Sequence, residues 1–294
     1  MSNPEIDAVR ELLRTRPRPA GLTERRERLD ALGARYALPS DVQTRRVEAG
    51  GVPAEWTATP GADADRVILF LHGGGYISGS IESHRHMIAE AGRQARTRTL
   101  ALDYRLAPEH PFPAALQDAL AGYRFLLSSG FDPAHIALAG ESAGGGLAIA
   151  TLVSLRDDGE PLPACVWCSS PWVDLTMSGP TMMSKAAVDP LIQPSYLAEL
   201  VAAYLHGTDP RDPRVSPIHA DLRGLPPTLI QVGSAETLLS DSVRLAATAG
   251  EADVRVTLQI WPEMIHAWHL FYQQLAAGRE ALAAVGAFVR AAVS

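Results

Sequence analysis

Short apolar runs alternate with longer stretches of helical periodicity along most of the chain. Stretches 113–129 and 143–158 repeat apolar residues at intervals of three and four, which is typical of helices. Six apolar runs have the length and composition of buried strands: 66–73, 99–104, 135–142, 164–171, 227–233 and 254–261. Strands that alternate with helices predict an α/β fold, with a mostly parallel central sheet covered by helices on both faces.

Two regions do not fit this alternation. The amino-terminal arm contains two amphipathic patterns, 3–13 and 22–32, with Asn3 and Thr23 as candidate helix N-caps. A further helical pattern at 195–205 occupies a place where a short connection would suffice. Each segment has an apolar side, so these segments either form a cap over the sheet edge or pack separately at the margin of the core.

Length, composition and charge narrow the class of protein. The chain has 294 residues, 47% hydrophobic and 20% charged, which indicates a globular protein with one large core. Its 26 basic and 33 acidic residues are interleaved and give a net charge of -7, so we expect no nucleic-acid partner. The first residues lack a secretory signal pattern, and no apolar run reaches the ~18 residues of a membrane span. We therefore expect a cytoplasmic protein without stable membrane insertion.

The two cysteines form a C-x-x-C pattern, a spacing that occurs in redox and metal sites. Cys165 and Cys168 both lie within a predicted strand. Side chains three positions apart in a strand point to opposite faces, which prevents a disulfide or a shared metal ion. We predict buried structural thiols. No other cluster of metal-ligating residues is evident, so we expect no metal site.

A G-x-S-x-G pentapeptide directly follows one predicted strand and opens a helix. A tight turn from strand to helix needs small residues beside the serine, and it projects the hydroxyl beyond the carboxyl edge of the sheet. The following helix directs its free amides to the same point. Glycine turns also occur for packing reasons alone, but this context favours Ser142 as a nucleophile.

Three consecutive glycines follow the first predicted strand, in the sequence HGGGY. Gly73, Gly74 and Gly75 cost conformational entropy, and close approach of the backbone to a ligand is the best reason for them. The spacings of phosphate-binding loops are absent. With the amide of Ala143, their amides are candidates for an oxyanion hole, in which one donor lowers the barrier by about 3 kcal/mol. We interpret His72, at the buried strand end, as structural support.

A serine nucleophile needs a base, and histidine is the usual one near neutral pH. The loop after the last predicted strand contains two histidines, His266 and His269. His266 comes first and lies in the loop, whereas His269 falls in the turn that opens the final helix. Loop residues are placed to reach a site and helix residues are usually packed, so His266 is the preferred base.

Five segments, in order, resemble signatures of a known family, the bacterial hormone-sensitive-lipase-like carboxylesterases of the α/β-hydrolase fold. They are HGGGY (72–76), DYRLAPEHPFPAA (103–115), GESAGGG (140–146), SPWVDLT (170–176) and IHAWH (265–269). The likeness extends over about residues 45 to 290. It implies Ser142 as nucleophile, His266 as base, and the glycine loop with Ala143 as oxyanion donors.

The same resemblance implies a domain organisation and a set of supporting residues. Residues 1–45 would form amino-terminal cap helices, and residues 46–294 a catalytic domain with a cap insertion at about 177–207. In proteins of this family the DYRLAPEH segment mainly braces the active-site loops. Its charged residues are therefore expected to give support and not chemistry: Asp103, Arg105 and Glu109.

The resemblance also places a triad acid about thirty positions before the histidine, and counting back from His266 reaches Glu236, where the family usually has aspartate. A glutamate can also accept the imidazole hydrogen bond and stabilise its positive charge. Glu236 follows a strand at its carboxyl end, whereas Asp241 lies one turn into the next helix, where we expect it to cap the helix or face solvent. Asp189 imitates the family's acid motif but precedes that strand, in the presumed cap, and is not expected to act.

These features predict a serine ester hydrolase that acts on small-molecule esters with short to medium acyl chains through an acyl-enzyme, without metal or cofactor. A lactonase, deacetylase or amidase with the same triad stays open, because pocket shape and leaving-group protonation decide among them. A non-catalytic small-molecule receptor on this fold is a further alternative. Receptors that resemble the family lose the histidine, and His266 is present here. Relatives of this type often form homodimers through the last strand.

Overall fold

The computed structural model describes residues 3–16 and 18–293. Within these residues one sheet contains eight strands: β1 (Gln43–Ala49), β2 (Val52–Ala58), β3 (Asp63–Leu71), β4 (Thr97–Leu102), β5 (Ile136–Glu141), β6 (Cys165–Ser169), β7 (Thr228–Gly233) and β8 (Val256–Trp261). Their order is β1-β2-β4-β3-β5-β6-β7-β8. β2 runs antiparallel to β1 and β4, and all pairs from β4 to β8 are parallel. The six predicted strands are confirmed as β3 to β8.

β1 and β2 lie outside the predicted set of strands. β1 is almost entirely polar and mostly exposed, and β2 contains a proline and a glutamate, so neither presents an apolar run. The apolar residues of β2 nevertheless pack in an apolar cluster of the core, and a buried acid lies among them. Glu55 on β2 is buried, and its carboxylate accepts hydrogen bonds from Arg46 on β1 at 3.1 Å and from Arg85 at 2.6 Å. This hairpin extends the sheet at the edge far from Ser142.

Helices cover both faces of the sheet. The described residues contain α1 (Pro4–Arg14), α2 (Leu22–Gly33), α3 (Ile81–Ala95), α4 (Ala114–Ser128), α5 (Ala143–Asp157), α6 (Thr181–Ser184), α7 (Pro194–Leu205), α8 (Leu239–Glu251) and α9 (Ala276–Ala292). Successive strand residues point to opposite faces. Accordingly Val67 and Leu69 pack in one apolar cluster with α4 and α5, while Ile68 and Phe70 pack in a second with α3 and α9. The predicted α/β fold is confirmed.

The two cysteines follow this alternation. Cys165 packs in the cluster that contains α3 and α9, and Cys168 packs on the opposite face with α4 and α5. Both thiols are free and buried, and burial raises the pKa of each to about 12. The prediction of structural thiols on opposite faces is confirmed.

α1, α2 and α7 correspond to the three helical patterns that lay outside the strand–helix alternation. Asn3 caps α1 as predicted, because its Oδ1 accepts hydrogen bonds from the amides of the first turn at 3.2 and 3.4 Å. The prediction for Thr23 is wrong. α2 begins at Leu22, and the extended residue before it is Gly21, so Thr23 lies inside the first turn, beyond the N-cap position.

The amino-terminal arm and α7 are in direct contact. Arg25 on α2 forms an ion pair with Glu199 on α7 at 3.0 Å, and the guanidinium of Arg18 lies 3.3 Å from the ring centroid of Tyr196 on α7. These contacts join the two segments expected to form a cap. The division into cap and catalytic domains stays a prediction, and its outer limits at residues 1 and 294 lie outside the described residues.

The DYRLAPEH segment makes contacts that suit a bracing role. Asp103 accepts a hydrogen bond at 2.9 Å from the amide of Ile81, at the start of α3. Arg105 pairs with Asp118 at 2.7 Å. In addition, Glu109 pairs at 2.7 Å with an arginine of α2, Arg26. The segment thus connects α3 and α4 to the amino-terminal arm.

Candidate active site

Ser142 lies in the turn between β5 and α5, at the carboxyl edge of the sheet. Its backbone has φ 53° and ψ -119°, a conformation that costs a residue other than glycine about 1–3 kcal/mol. Close packing explains the small residue two positions later, because a Cβ on Gly144 would lie 2.1 Å from the carbonyl oxygen of Leu71. The surrounding structure therefore holds the serine in a strained conformation.

The structure brings Ser142, His266 and Glu236 together. Nε2 of His266 is 2.9 Å from Oγ of Ser142, and Nδ1 of His266 is 2.8 Å from Oε2 of Glu236. An ionised carboxylate can only accept, so Nδ1 carries the proton that is donated to Glu236. Nε2 is then the acceptor for the serine hydroxyl, which is the tautomer required for removal of the serine proton.

The electrostatic surroundings of His266 favour its charged form. Burial opposes the imidazolium, but the hydrogen bond and charge of Glu236, followed by the charge of Glu141, outweigh burial and raise the pKa of His266. Oε1 of Glu141 lies 3.4 Å from Nε2, the nitrogen that would receive the serine proton. Because these groups are buried, solvent screens their charges only weakly. The arrangement therefore stabilises the histidine after proton transfer.

Glu236 is fully buried and held by several donors. Its Oε1 accepts a hydrogen bond at 2.6 Å from the amide of Gly233, at the end of β7, and one at 2.8 Å from the hydroxyl of Ser170. The amide of Ala267 donates to the same Ser170 hydroxyl at 3.3 Å. Ser170 thus links the acid to the histidine loop. It had no predicted role, although its place directly after the buried strand β6 offered a signal.

The three glycine amides after β3 are not equivalent. The amide nitrogen of Gly73 is directed at Nε2 of His84, 3.3 Å away, and the same Nε2 is 3.0 Å from Oε2 of Glu141. One nitrogen cannot donate and accept at once, so only one of these contacts is a hydrogen bond at a time. Gly74 and Gly75 line the cavity above Ser142, whereas Gly73 is not among the described residues that do.

Gly74 and Ala143 have the backbone features of oxyanion donors. Gly74 has φ 115°, a conformation that only glycine adopts without strain, and a Cβ there would lie 2.2 Å from the carbonyl oxygen of Ser78. Ala143 is the first residue of α5, so its amide has no acceptor inside the helix. Gly74 lines the same cavity as Ser142, and Ala143 directly follows Ser142 in the chain.

Glu141 and His84 lie next to the triad and were not predicted to have a role. Both side chains are buried, and Nδ1 of His84 is 2.7 Å from the hydroxyl of Ser83. The signal for Glu141 was present, because it is an acid within the G-x-S-x-G motif at the last position of a fully buried strand. His84 offered no such signal, since it lies on α3 in a sequence without a motif.

A cavity of about 500 Å³ opens above Ser142 and His266. α1 and α2 contribute to its walls, and α7 contributes Leu197 and Leu200. Trp172, from the SPWVDLT segment, also lines the cavity. The helices that were expected to form a cap therefore border the space in which a substrate of Ser142 would lie.

Asp241 and Asp189 have structural contacts at other places. Asp241 is fully buried, and its Oδ2 accepts hydrogen bonds from the amides of Val173 and Asp174 at 3.1 and 3.0 Å. The expectation that Asp241 caps its helix or faces solvent is therefore wrong. Burial, followed by the charge of Asp174, raises the pKa of Asp241 to about 7. Oδ2 of Asp189 accepts from the amide of Thr237 at 2.8 Å, so Asp189 fastens the loop after Glu236.

The other two candidate histidines are packed as expected. His269 is held between the hydroxyl of Ser169 and Oε1 of Gln231, both at 2.8 Å, and burial followed by the charge of His266 lowers its pKa to about 3. His72 donates from Nδ1 to the carbonyl oxygen of Gly73 at 2.8 Å. Burial, followed by the charge of His84, lowers the pKa of His72 to about 3. Neither is suited to proton transfer near neutral pH.

Comparison with known proteins shows that the chain has the fold of the α/β hydrolases. Residues 68–270, more than half of the chain, match the model of a family described as having the alpha/beta hydrolase fold. An acetyl-hydrolase of Streptomyces hygroscopicus is 45% identical over 99% of this chain and 98% of its own. An esterase of Acinetobacter venetianus is 34% identical over 88% of this chain and 86% of its own.

A solved structure narrows the class to a family. A crystal structure of an esterase from the bacterial hormone-sensitive lipase family is 44% identical, covers 100% of both chains, and superposes with a TM-score of 0.98. The chain therefore belongs to the bacterial hormone-sensitive lipase family of α/β hydrolases. The family resemblance stated from the sequence motifs is confirmed.

Residues 3–16 and 18–293 contain neither a membrane-spanning helix nor a metal-binding cluster. None of their helices combines the length and the apolar composition that crossing a membrane requires. No group of three or more histidine, cysteine, aspartate or glutamate side chains is arranged there to hold a metal ion.

Proposed function

We propose that the chain hydrolyses small-molecule carboxylic esters with Ser142 as nucleophile, His266 as general base and Glu236 as the acid that orients the imidazole. The chain is a carboxylic ester hydrolase, as its family and the names of its relatives indicate. The observation that carries the residue roles is the continuous contact from Glu236 through His266 to Ser142, at 2.8 and 2.9 Å. The strained strand-to-helix turn at Ser142 supports the same assignment.

The proposed mechanism has two stages. His266 removes the hydroxyl proton as Oγ of Ser142 attacks the acyl carbonyl, and it then gives that proton to the leaving alcohol. The carbonyl oxygen becomes negative in the tetrahedral intermediate, and the amides of Ala143, Gly74 and Gly75 are the proposed donors to it. Water, activated by the same histidine, releases the acid from the acyl-enzyme. Glu236 stabilises the imidazolium in both stages.

The amide of Gly73, which was also expected to be an oxyanion donor, is the least available to a substrate oxygen. It is directed at His84, 3.3 Å away, so it would have to change its contact to reach a substrate oxygen. Removal of one good oxyanion donor typically costs about 10²–10³ in kcat. The proposal therefore assigns this contribution to Gly74, Gly75 and Ala143.

Short to medium acyl chains are the proposed substrates. The cavity of about 500 Å³ has apolar walls near Ser142, and a relative that is similar over nearly its whole length is named an acetyl-hydrolase. A lactonase, a deacetylase or an amidase would use the same residues. A non-catalytic receptor is not favoured, because His266 is present and contacts Ser142.

A matched pair of substrates tests this proposal. p-Nitrophenyl acetate and butyrate are expected to be hydrolysed well above the enzyme-free rate. The matched amide, 4-nitroacetanilide, should react about a hundred-fold or more slowly, because its amine leaving group depends on protonation by a general acid. Initial rates of nitrophenol and nitroaniline release measure both reactions. Absence of ester turnover, or faster turnover of the amide, would contradict the proposal.

The oligomeric state and the cellular location of the chain stay predictions. β8 lies at one edge of the sheet, and Ile260 on it is 47% exposed. An exposed edge strand can pair with a second copy, so we retain the prediction of a homodimer through β8. The cytoplasmic location also stays a prediction.

A further inference from the structure

The mouth of the cavity is strongly basic, although the net charge of the chain is -7. Five arginines line the cavity: Arg14, Arg16, Arg18, Arg25 and Arg28. Among the described residues the only lining carboxylate is Glu141, beside the triad. The arginines are exposed or half-buried, whereas Ser142, His266 and Glu141 are buried. The positive charges therefore lie at the entrance on the side of the amino-terminal arm, and the catalytic groups lie at the floor.

Only part of this positive charge is neutralised by protein carboxylates. Arg14 pairs with Glu11 at 2.7 Å, and Arg25 pairs with Glu199 at 3.0 Å. Arg18 has neutral partners instead: its guanidinium lies 3.3 Å from the ring centroid of Tyr196 and donates to the carbonyl oxygen of Leu191. Cation–π and carbonyl contacts orient a guanidinium without cancelling its charge. Arg18 is therefore a fixed positive group at the entrance.

The arginines at the entrance also repel one another. Burial, followed by the charge of Arg16, lowers the pKa of Arg28. Burial is also the main cause that lowers the pKa of Arg18. The charge of Arg25 acts in the same direction, and the charges of Asp189 and Glu199 act against it. Like charges held close together in a cleft raise the local positive potential, and they lower the energy of an anion placed between them. An anionic ligand would relieve this repulsion.

The walls between the entrance and the floor are apolar. They include Leu29 and Leu32 on α2, Leu197 and Leu200 on α7, and Phe271. A substrate that fills this space needs an apolar segment next to the scissile ester. Its far end would then reach the guanidinium groups, whose planar donors match carboxylate or phosphate oxygens.

We propose that this cavity selects esters that carry an anionic group, such as a carboxylate, at the end remote from the scissile carbonyl, with Arg16 and Arg18 as the residues that recognise it. This proposal rests on the proposed ester hydrolysis at Ser142. It assigns a substrate class to the site and a binding role to two arginines, Arg16 and Arg18. The anion contributes to binding and takes no part in the chemical step.

Matched ester pairs test the substrate class. Mono-p-nitrophenyl adipate and its methyl ester differ in one acyl-side charge, and 4-acetoxybenzoate and its methyl ester differ in one charge on the alcohol side. For at least one pair the anionic member is expected to have about ten-fold higher kcat/KM at low ionic strength, mainly through KM, as one charge-assisted contact provides. About 0.5 M NaCl should reduce this preference, because salt screens exposed charges.

Arginine variants test the assigned residues. Arg18→Gln and Arg16→Gln should each abolish most of the preference by raising KM for the anionic ester. The readout is the ratio of kcat/KM for the anionic ester to that for its neutral partner, and circular dichroism shows whether each variant folds. Arg223→Gln is the control, since Arg223 is exposed, pairs with Asp221 and does not line the cavity. It should leave the preference unchanged.

The outcomes separate this inference from the proposed function. If the neutral esters are hydrolysed and neither pair shows a preference for the anionic member, the anionic substrate class is wrong and ester hydrolysis stands. If a preference exists but survives both arginine variants, the assignment to these residues is overturned. If wild-type protein hydrolyses none of the four esters, the proposed function fails and this inference fails with it.

Discussion

Replacing Glu236 with glutamine is expected to lower kcat for p-nitrophenyl butyrate by about 10³–10⁴-fold, as loss of the acid does in other serine triads. The glutamine could donate to Nδ1 of His266, which would favour the tautomer that places the proton on Nε2. It would also remove the negative charge that stabilises the imidazolium. Because Glu236 is fully buried, no water can substitute for the lost carboxylate. Steady-state kinetics of the purified variant measure this loss.

Asp241→Asn is the matched control for this experiment. Asp241 is also a fully buried acid of the same segment, but its Oδ2 holds the amides of Val173 and Asp174. The amide oxygen of asparagine can accept the same two hydrogen bonds, so kcat is expected to stay close to the wild-type value. A large loss in Asp241→Asn together with an active Glu236→Gln would transfer the role of triad acid to Asp241.

The pH profile of the residual activity separates an electrostatic effect from simple damage to the fold. The base must be neutral to act, so kcat/KM falls as pH decreases through the pKa of His266. Glu236 raises this pKa above its usual value, against the effect of burial. In Glu236→Gln the midpoint of the acidic limb should therefore move to lower pH. An unchanged midpoint would contradict the proposed contact between these two side chains in solution.

Ser142→Ala and Ser142→Gly are both expected to lower kcat by about 10⁶-fold, as removal of the nucleophile does in other serine triads. The two variants should differ in stability. Residue 142 has φ 53° and ψ -119°, a conformation that glycine adopts without strain and alanine adopts only with strain. Relief of about 1–3 kcal/mol of strain, reduced by the greater entropy of an unfolded glycine, leaves a net gain of about 1 kcal/mol for glycine.

Thermal unfolding of the two variants measures this difference. The Gly variant should unfold about 2 °C above the Ala variant, since a chain of this size shifts its Tm by only a few degrees per kcal/mol. Circular dichroism should give the same folded spectrum for both. Equal or reversed Tm values would mean that the turn at Ser142 is not strained in solution, and that the nucleophile is not held as proposed.

The sequence patterns predicted the parts of the fold whose stability depends on apolar side chains. β3 to β7 are apolar runs whose alternation with helices follows from burial on both faces. β8 was found by its composition, although it is a partly exposed edge strand. β1 and β2 could not be found in this way. Beside their backbone pairing, Glu55 forms ion pairs with Arg46 and Arg85, and such contacts between distant positions leave no periodic signal. The prediction of Thr23 as an N-cap is wrong because residue type alone does not fix where a helix begins.

In the candidate site, too, only the residues that lie in local sequence motifs could be predicted. Ser142 and His266 could be placed because their motifs lie at the carboxyl ends of strands, where parallel strands bring their ends together. Glu236 and Asp241 could only be ranked, since both lie near the end of β7. Their hydrogen-bond partners distinguish them. Glu236 accepts from the hydroxyl of Ser170, whereas Asp241 accepts from the backbone of the SPWVDLT segment. His84 and the arginines of the arm depend on tertiary contacts that no local pattern encodes.

Covalent labelling of wild-type protein with diethyl p-nitrophenyl phosphate tests the central claim most directly. An activated serine attacks the phosphorus atom and displaces p-nitrophenolate, so the protein keeps one diethylphosphoryl group. We expect one adduct per chain, located by peptide mass spectrometry on the peptide that contains Ser142, and loss of esterase activity in proportion to labelling. Ser142→Ala should take up no label. An adduct on another residue, or full esterase activity after Ser142 is labelled, would contradict the account.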